Sequence, residues 1–440
     1  MNDPQHVMYP DAAAVREVEH TLSTRAPLAA PADVDELRRR LAAVARGEAF
    51  LLQAGDCAER FSELTRPILR QRLRVLLALR DLLQAGLSRP VVTMGRLAGQ
   101  FAKPRSSLTE RVMGHEIPAF RGDLINRPEP TLEARRPDPT RMLEGHRLAS
   151  GAVAILDSLL ASPNSLMRAD EDVVSALKVG PGKPGASAFE VGTGKPGGRV
   201  GRTVYLAHEA LLLPYERGLT RLERDVRYGL SAHFLWIGAR TRHPTGVHAE
   251  FMSSIANPIG IKLGPDTNPD DLIALARRLD PNAEPGRLTL ITRFGAGHVR
   301  AKLPRLLDAV SRAGYLPVWC CDPMHGNTVQ TEQRRKTRRL DDVRRELDET
   351  LEVHASCGTY LGGVHLEVAG GAVTECVGGI LGITEGDLER RYETACDPRL
   401  NPLQALELLG RAFGNLHPFL DEGPAPSSRR GAHQGDSIAI

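Results

Sequence analysis

Between Val318 and Thr328 the chain reads VWCCDPMHGNT, which crowds thiols, a carboxylate, an imidazole and an amide into a few residues. The apolar, β-prone run from Tyr315 to Cys320 predicts a buried strand, and Pro323 and Gly326 end it. Groups just past the carboxyl end of a strand sit where an α/β barrel places its chemistry. Other short apolar runs finish in the same way. Gly55-Asp56-Cys57-Ala58-Glu59 follows one, and Gly95-Arg96 with Lys103-Pro104-Arg105-Ser106 follows the next. His208 and Glu209, Arg240 and Arg242, Lys262, Arg293 and Glu367 close the others.

Two chemistries follow from these residue types. Arg96, Lys103, Arg105, Arg240, Lys262 and Arg293 suit anionic, phosphorylated substrates, because guanidinium forks grip phosphate and carboxylate oxygens in pairs. Six cations at one mouth repel one another until ligand charge offsets them. Two phosphorylated substrates, or one phosphate with a carboxylate, therefore fit better than a single phosphate. Cys57, His325, Glu367 and Asp397 offer one sulfur, one nitrogen and two oxygen donors, a mixed set that suits Mn, Co, Fe or Zn more than Mg or Ca. Spacing alone does not bring Asp397 to the other three, since it lies beyond the last apolar run.

The elements that must position these groups alternate. Eight short apolar runs occur at 49–54, 90–94, 203–207, 233–237, 258–263, 288–292, 315–320 and 361–366. Amphipathic helical stretches lie between most of them, at 62–86, 216–229, 269–279, 300–313 and 335–354. That alternation predicts a parallel sheet, and eight strands in one series predict an α/β fold of the (β/α)8, or TIM, barrel type. Residues 1–47 form an N-terminal extension, a helical arm with Leu37, Leu41 and Val44 on one face. The barrel spans 48–415. It contains a long connection between its second and third strands (96–202), of which 127–202 is an insertion. Val179 to Arg202, rich in Gly, Pro and Lys, reads as a mobile loop. Gly182-Lys183 and Gly194-Lys195 lack the spacing of a P-loop. Residues 416–440 read as a flexible tail.

Composition narrows the class. The chain has 440 residues, 41% of them hydrophobic, and a formal net charge of +3, with no basic face that would bind nucleic acid. No apolar run approaches the roughly 20 residues needed to span a bilayer, and the N-terminus lacks a signal-peptide plan, so a cytoplasmic protein with no membrane partner is expected. Six cysteines without a CxxC pair argue against structural disulfides. Only seven residues are lysine, which makes Lys262, inside an apolar strand, conspicuous.

Ten ordered segments resemble the type II 3-deoxy-D-arabino-heptulosonate 7-phosphate (DAHP) synthases: LLQAGDCAERF, GRLAGQFAKPRSS, IPAFRGDLIN, AHEALLLPYE, FLWIGARTR, NPIGIKLGP, LITRFGAGHV, VWCCDPMHGNT, GGVHLEVAGGAVTEC and TACDPRLN. They run from about residue 46 to 410. The resemblance implies a metal-dependent, aldol-like condensation of phosphoenolpyruvate with erythrose 4-phosphate, the first step of the shikimate pathway. It implies a divalent ion, Mn2+ or Co2+, held by Cys57, His325, Glu367 and Asp397. Phosphoenolpyruvate would meet Arg96, Arg240, Lys262 and Arg293, and erythrose 4-phosphate would meet Lys103, Arg105 and Ser106. Lys262, Arg293, His325 and Cys57 would be the catalytic groups, in a protein that is typically a homo-oligomer.

Two positions depart from the family pattern. Ala54 stands where glycine is usual, and Ala239 where an acidic residue usually precedes the arginine matched by Arg240. The extension is short, and the Gly/Pro-rich loop lies where some members carry helices for aromatic effectors. Both features predict weak or absent inhibition by aromatic amino acids, as in a copy serving secondary metabolism. Two other readings stay open beside the synthase itself. One is a paralogue taking the imino analogue of erythrose 4-phosphate to aminoDAHP; the other is a catalytically weak regulatory paralogue.

Overall fold

The computed structural model describes residues 5–105, 107–112, 114–162 and 204–414. Ser106, the 179–202 loop with Gly182-Lys183 and Gly194-Lys195, and the 416–440 tail lie outside the described residues.

Two helices come first, α1 (Ala12–Thr24) and α2 (Pro31–Ala45). Pro31 opens α2 with the φ that a first helical turn requires. Its apolar residues Val34, Leu37, Leu41 and Val44 recur at helical spacing and are fully buried. Next come β1 (Phe50–Gly55), α3 (Arg66–Leu87) and β2 (Val91–Arg96). The long connection then holds a hairpin, β3 (Thr109–Val112) and β4 (His115–Pro118), followed by α4 (Arg141–Ala161). The regular alternation resumes at β5 (Tyr205–Glu209).

The stretch 216–229 is not one amphipathic helix. It begins inside a single helical turn, α5 (Leu213–Gly218), and continues as a hairpin, β6 (Thr220–Glu223) and β7 (Val226–Gly229). The hairpin turns through Arg224 and Asp225, whose φ values of 49° and 64° are the two positive values of a type I′ turn. Beyond it lie β8 (Phe234–Ile237), α6 (Val247–Ser253), β9 (Ile259–Leu263), α7 (Pro269–Leu279), β10 (Leu288–Thr292), α8 (Val299–Arg312) and β11 (Val318–Cys321). A small hairpin, β12 (Thr328–Gln330) and β13 (Lys336–Arg338), precedes α9 (Leu340–Ser356), β14 (Gly363–Glu367) and α10 (Pro402–Phe413). The helix predicted from 335 thus starts at 340, after a short strand.

Strands β1, β2, β5, β8, β9, β10, β11 and β14 close a parallel barrel, with β14 paired back onto β1. This is a (β/α)8 arrangement. Alternate residues of each strand face the interior. Leu51, Met94, Tyr205, Phe234, Trp236, Ile291, Val318 and Cys320 form one inner cluster, to which α2 contributes Leu37, Leu41 and Val44. The outward-facing residues pack under the surrounding helices in a separate, larger cluster. Ala54 belongs to that outer layer, where its methyl is accommodated. Gly55 is the position that needs glycine: its φ is +145°, and a Cβ there would stand 2.7 Å from the Arg96 carbonyl oxygen. Among the described residues no helix is long and apolar enough to cross a membrane.

Candidate active site

Interior positions at the carboxyl ends of the strands carry polar groups in place of apolar ones. Arg96 ends β2, Glu209 ends β5, Lys262 is the penultimate residue of β9 and Glu367 ends β14. Arg293 and Asp322 follow directly on β10 and β11, and Cys57 sits two residues past β1. A cavity of about 360 Å³ opens above them, lined by Arg96, Lys103, Arg105, Arg240, Lys262, Arg293, His325 and Asp397, together with Lys336, Glu209 and Trp236. Its walls carry seven basic and two acidic side chains, a balance that favours a polyanionic occupant.

The four donors converge. Donor atoms of Cys57, Glu367 and Asp397 lie within 4.8 Å of one another, and His325 Nε2 is 3.0 Å from Glu367 Oε1. Bonds of about 2.0–2.3 Å put two ligands of one ion up to ~4.6 Å apart, so the spacing of Cys57, Glu367 and Asp397 is one that could hold an ion, and His325 adjoins this group through Glu367 while grouping also with Asp322 and His365. The His325 ring is held by Asp322: its Nδ1 lies 2.7 Å from Asp322 Oδ2, leaving Nε2 to face Glu367. A residue assigned to substrate also enters the group. The Lys103 ammonium, one of the cavity's buried cations, stands 2.8 Å from Cys57 Sγ, 3.2 Å from Glu367 Oε1 and 3.3 Å from Asp397 Oδ2.

Burial alone raises the Glu367 carboxyl, but His325, Lys103 and Arg338 outweigh it and hold the group well below the usual carboxylate range. Asp397 is likewise held low, burial being overcome first by Lys103. The Cys57 thiol is pushed well above its ordinary value by burial and then by the Glu367 charge. Lys262 is lowered by burial against the opposing pull of Asp322. His365 is lowered strongly, by burial and then by Lys262.

An ion-pair network brings Asp397 to a site from which it is remote in sequence. Asp56, beside Cys57, accepts from Arg399 Nη1 at 2.7 Å and from Arg72 Nη2 at 2.7 Å. Arg399, two residues past Asp397, also donates to both oxygens of Glu375, at 2.6 and 3.0 Å. The loop after β1 and the loop after β14 are therefore tied together one or two residues from their donors. The pairing of Asp56 with Arg399 was not legible in the chain, since a charged pair has no spacing signature.

Other groups fall differently from the sequence expectation. His208 faces away from the barrel interior and bonds Glu216 at 2.9 Å, and Arg242 turns to Thr267. Cys320 lies in the inner apolar cluster and Cys321 in the outer one, so neither thiol reaches the cavity. The Asn327 amide ties its loop to Pro323, Ala296 and Glu346. Several site residues escaped the sequence reading. Lys336 bonds Asp397 at 2.8 Å, fully buried Arg338 pairs with Glu367 at 2.8 Å, and His365 lies beneath Glu367 on β14. Lys336 carried one weak signal, the scarcity of lysine. Residue 5 pins the rim, where Gln5 and the Arg105 backbone exchange hydrogen bonds of 3.1 and 3.0 Å.

Comparison with known proteins places this architecture. Residues 1–177 and 191–412 match the model of the class-II DAHP synthetase family. A phospho-2-dehydro-3-deoxyheptonate aldolase of Streptomyces coelicolor is 43% identical over 418 residues, 92% of this chain and 93% of the relative. One from Mycolicibacterium smegmatis is 43% identical over 419 residues, covering 91% of this chain and 89% of the relative. One from Neurospora crassa is 40% identical over 431 residues, with coverage of 91% and 89%. With its closed eight-stranded barrel and a family match over nearly its whole length, the chain belongs to the class-II DAHP synthetases.

Proposed function

We propose that this chain condenses phosphoenolpyruvate with erythrose 4-phosphate and water, yielding 3-deoxy-D-arabino-heptulosonate 7-phosphate and inorganic phosphate. The observation that carries this reading is one cavity walled by seven basic side chains, with His325 and Asp397 in its lining and the Cys57 thiol and Glu367 carboxylate buried against them. Family membership supports it.

In this reading Arg96, Arg240, Lys262 and Arg293 hold the phosphate and carboxylate of phosphoenolpyruvate. Lys103, Arg105 and Ser106 receive erythrose 4-phosphate. Fixing both reactants in one cavity converts a bimolecular encounter into a step between neighbours. C3 of phosphoenolpyruvate bonds to the aldehyde carbon, a water oxygen adds at C2, and phosphate leaves as its C–O bond breaks. The arginines and Lys262 stabilise the negative charge that builds on the departing phosphate. Cys57, His325, Glu367 and Asp397 would hold the divalent ion, Mn2+ or Co2+ by the mixed softness of the donors. When bound, that ion supplies a Lewis acid for the aldehyde oxygen. Asp322 holds the His325 ring by Nδ1, and Lys103 offsets the negative charge of the donor group.

Ala239 removes a carboxylate usual in the family. Glu209 lines the same cavity beside Gly238, so an acid remains in that corner, and erythrose 4-phosphate is the acceptor we favour over its imino analogue. The Gly/Pro-rich composition of 179–202 supports weak or absent inhibition by Phe, Tyr and Trp, and we take the protein to be a homo-oligomer, which light scattering tests.

The deciding experiment follows phosphoenolpyruvate loss with and without erythrose 4-phosphate, after chelation and after return of Mn2+ or Co2+. Consumption that requires both the aldehyde and the ion supports the proposal. No consumption by the ion-restored protein overturns it.

A further inference from the structure

We infer that His365 is a positioning residue that sets the spacing of Arg96 and Lys262 without cancelling their charge. The inference rests on the reading of those two cations as the grip on phosphoenolpyruvate. His365 is fully buried in the middle of β14, and the strand's alternation places it on the same inner face as Glu367. Its Nε2 lies 2.8 Å from Arg96 Nη1 and 3.1 Å from Lys262 Nζ. Guanidinium and ammonium groups only donate, so Nε2 carries no proton and its single lone pair is shared between them, the shorter bond going to Arg96. An imidazolium there would be a third cation with nothing to accept.

The other contacts of this group show why the acceptor matters. Lys262 is also held by Asp322, and Arg96 Nη2 donates to the Cys57 carbonyl at 2.8 Å. Trp236 packs edge-on to the imidazole at 5.6 Å and lies under the Arg96 guanidinium at 5.4 Å, so ring and cation share one wall. His365 Nδ1 has no hydrogen-bond partner among the described residues. Burying that nitrogen without a partner works against stability, so the ring is kept for what its Nε2 does. What an apolar side chain cannot do is hold two like charges near one atom. A carboxylate could, but Lys262 already pairs with Asp322 and Arg96 with Glu367, and a third carboxylate would weaken the pull of the two cations on a phosphate and a carboxylate further. A neutral lone pair fixes the geometry without adding to that compensation.

The test uses the full chain with its metal. KM for each substrate, kcat and Tm are compared for wild type, His365→Met, His365→Gln and His365→Glu. His365→Met should raise KM for phosphoenolpyruvate about tenfold, with KM for erythrose 4-phosphate within about twofold. His365→Gln, whose amide oxygen accepts, should recover most of the loss, and His365→Glu should bind phosphoenolpyruvate more weakly than His365→Gln. If His365→Met does not fold, the order of Gln and Glu decides. Equal rises in both KM values, or a Gln variant no better than Glu, overturn the inference while leaving the functional reading intact. A wild-type enzyme that does not turn over this substrate pair overturns both.

Discussion

The two ends of the barrel are built from the same strands and have opposite chemistry. At the amino end α2 plugs the floor with Leu37, Leu41 and Val44 against Leu51, Tyr205 and Val318. Side chains there need only be apolar and of the right volume, and each fully buried leucine contributes up to roughly 1.5–3 kcal/mol. At the carboxyl end the inner positions hold Arg96, Lys262, Asp322 and Glu367, all buried and all charged. Charges at such depth persist only with partners, and each has at least one within 3.3 Å. One end is held by area and the other by pairing. Substitutions at the floor should therefore change stability and leave chemistry alone, whereas substitutions at the mouth should change chemistry, and stability too where they break a buried ion-pair network.

The largest separation is expected from His325→Ala, which removes a donor without touching the floor. It should lower kcat/KM on the order of 10³-fold while Tm moves little, as steady-state kinetics beside calorimetry would reveal. Arg399→Met breaks a buried network and should cost about 3–5 kcal/mol in denaturant unfolding. Because it unties Asp397 from Cys57, it should also weaken Mn2+ or Co2+ binding about 10–100-fold by titration calorimetry. Unchanged ion affinity would detach the network from the site. Leu41→Ala, at the floor, should cost about 2–5 kcal/mol with both KM values unmoved; altered KM values would show that the two ends are not independent.

A smaller effect concerns acid. His354 packs on Trp319 and bonds Thr359 below β14, and burial pushes its pKa down to about 4. The folded value lies below the ordinary 6.5, so its contribution is complete above that pH and is lost as pH falls from 6.5 toward 4. The loss should be of order 2–3 kcal/mol, and His354→Gln should flatten that part of a stability-against-pH profile.

Much of this was legible in the chain because buried parallel strands are short apolar runs and their carboxyl ends announce themselves by residue type. All eight runs became barrel strands; 288–292 coincides with its strand, and the others are offset by one to three residues at one or both ends. The failure at 216–229 has a local cause. Leu219, Leu222, Val226 and Leu230 recur at helical intervals, and only the left-handed backbone at Arg224 and Asp225, a pair without the glycine that usually announces such a turn, makes the segment a hairpin. Six of the seven cations of the mouth were found through their type and position, Lys336 being the exception. His365, Arg338 and Arg399 were not, because a residue that works by orienting another has no pattern of its own until the fold supplies its neighbour.

Pairing of β14 with β1 places the donor group across the seam where the first and last strands meet. Cys57 and Asp397 are 340 residues apart in the chain. No fragment that lacks either edge can assemble the group, and loop closure over that length comes late in folding. In the proposed reading, uptake of a divalent ion by these donors needs the finished cylinder, and its onset during refolding would time the moment the ring joins.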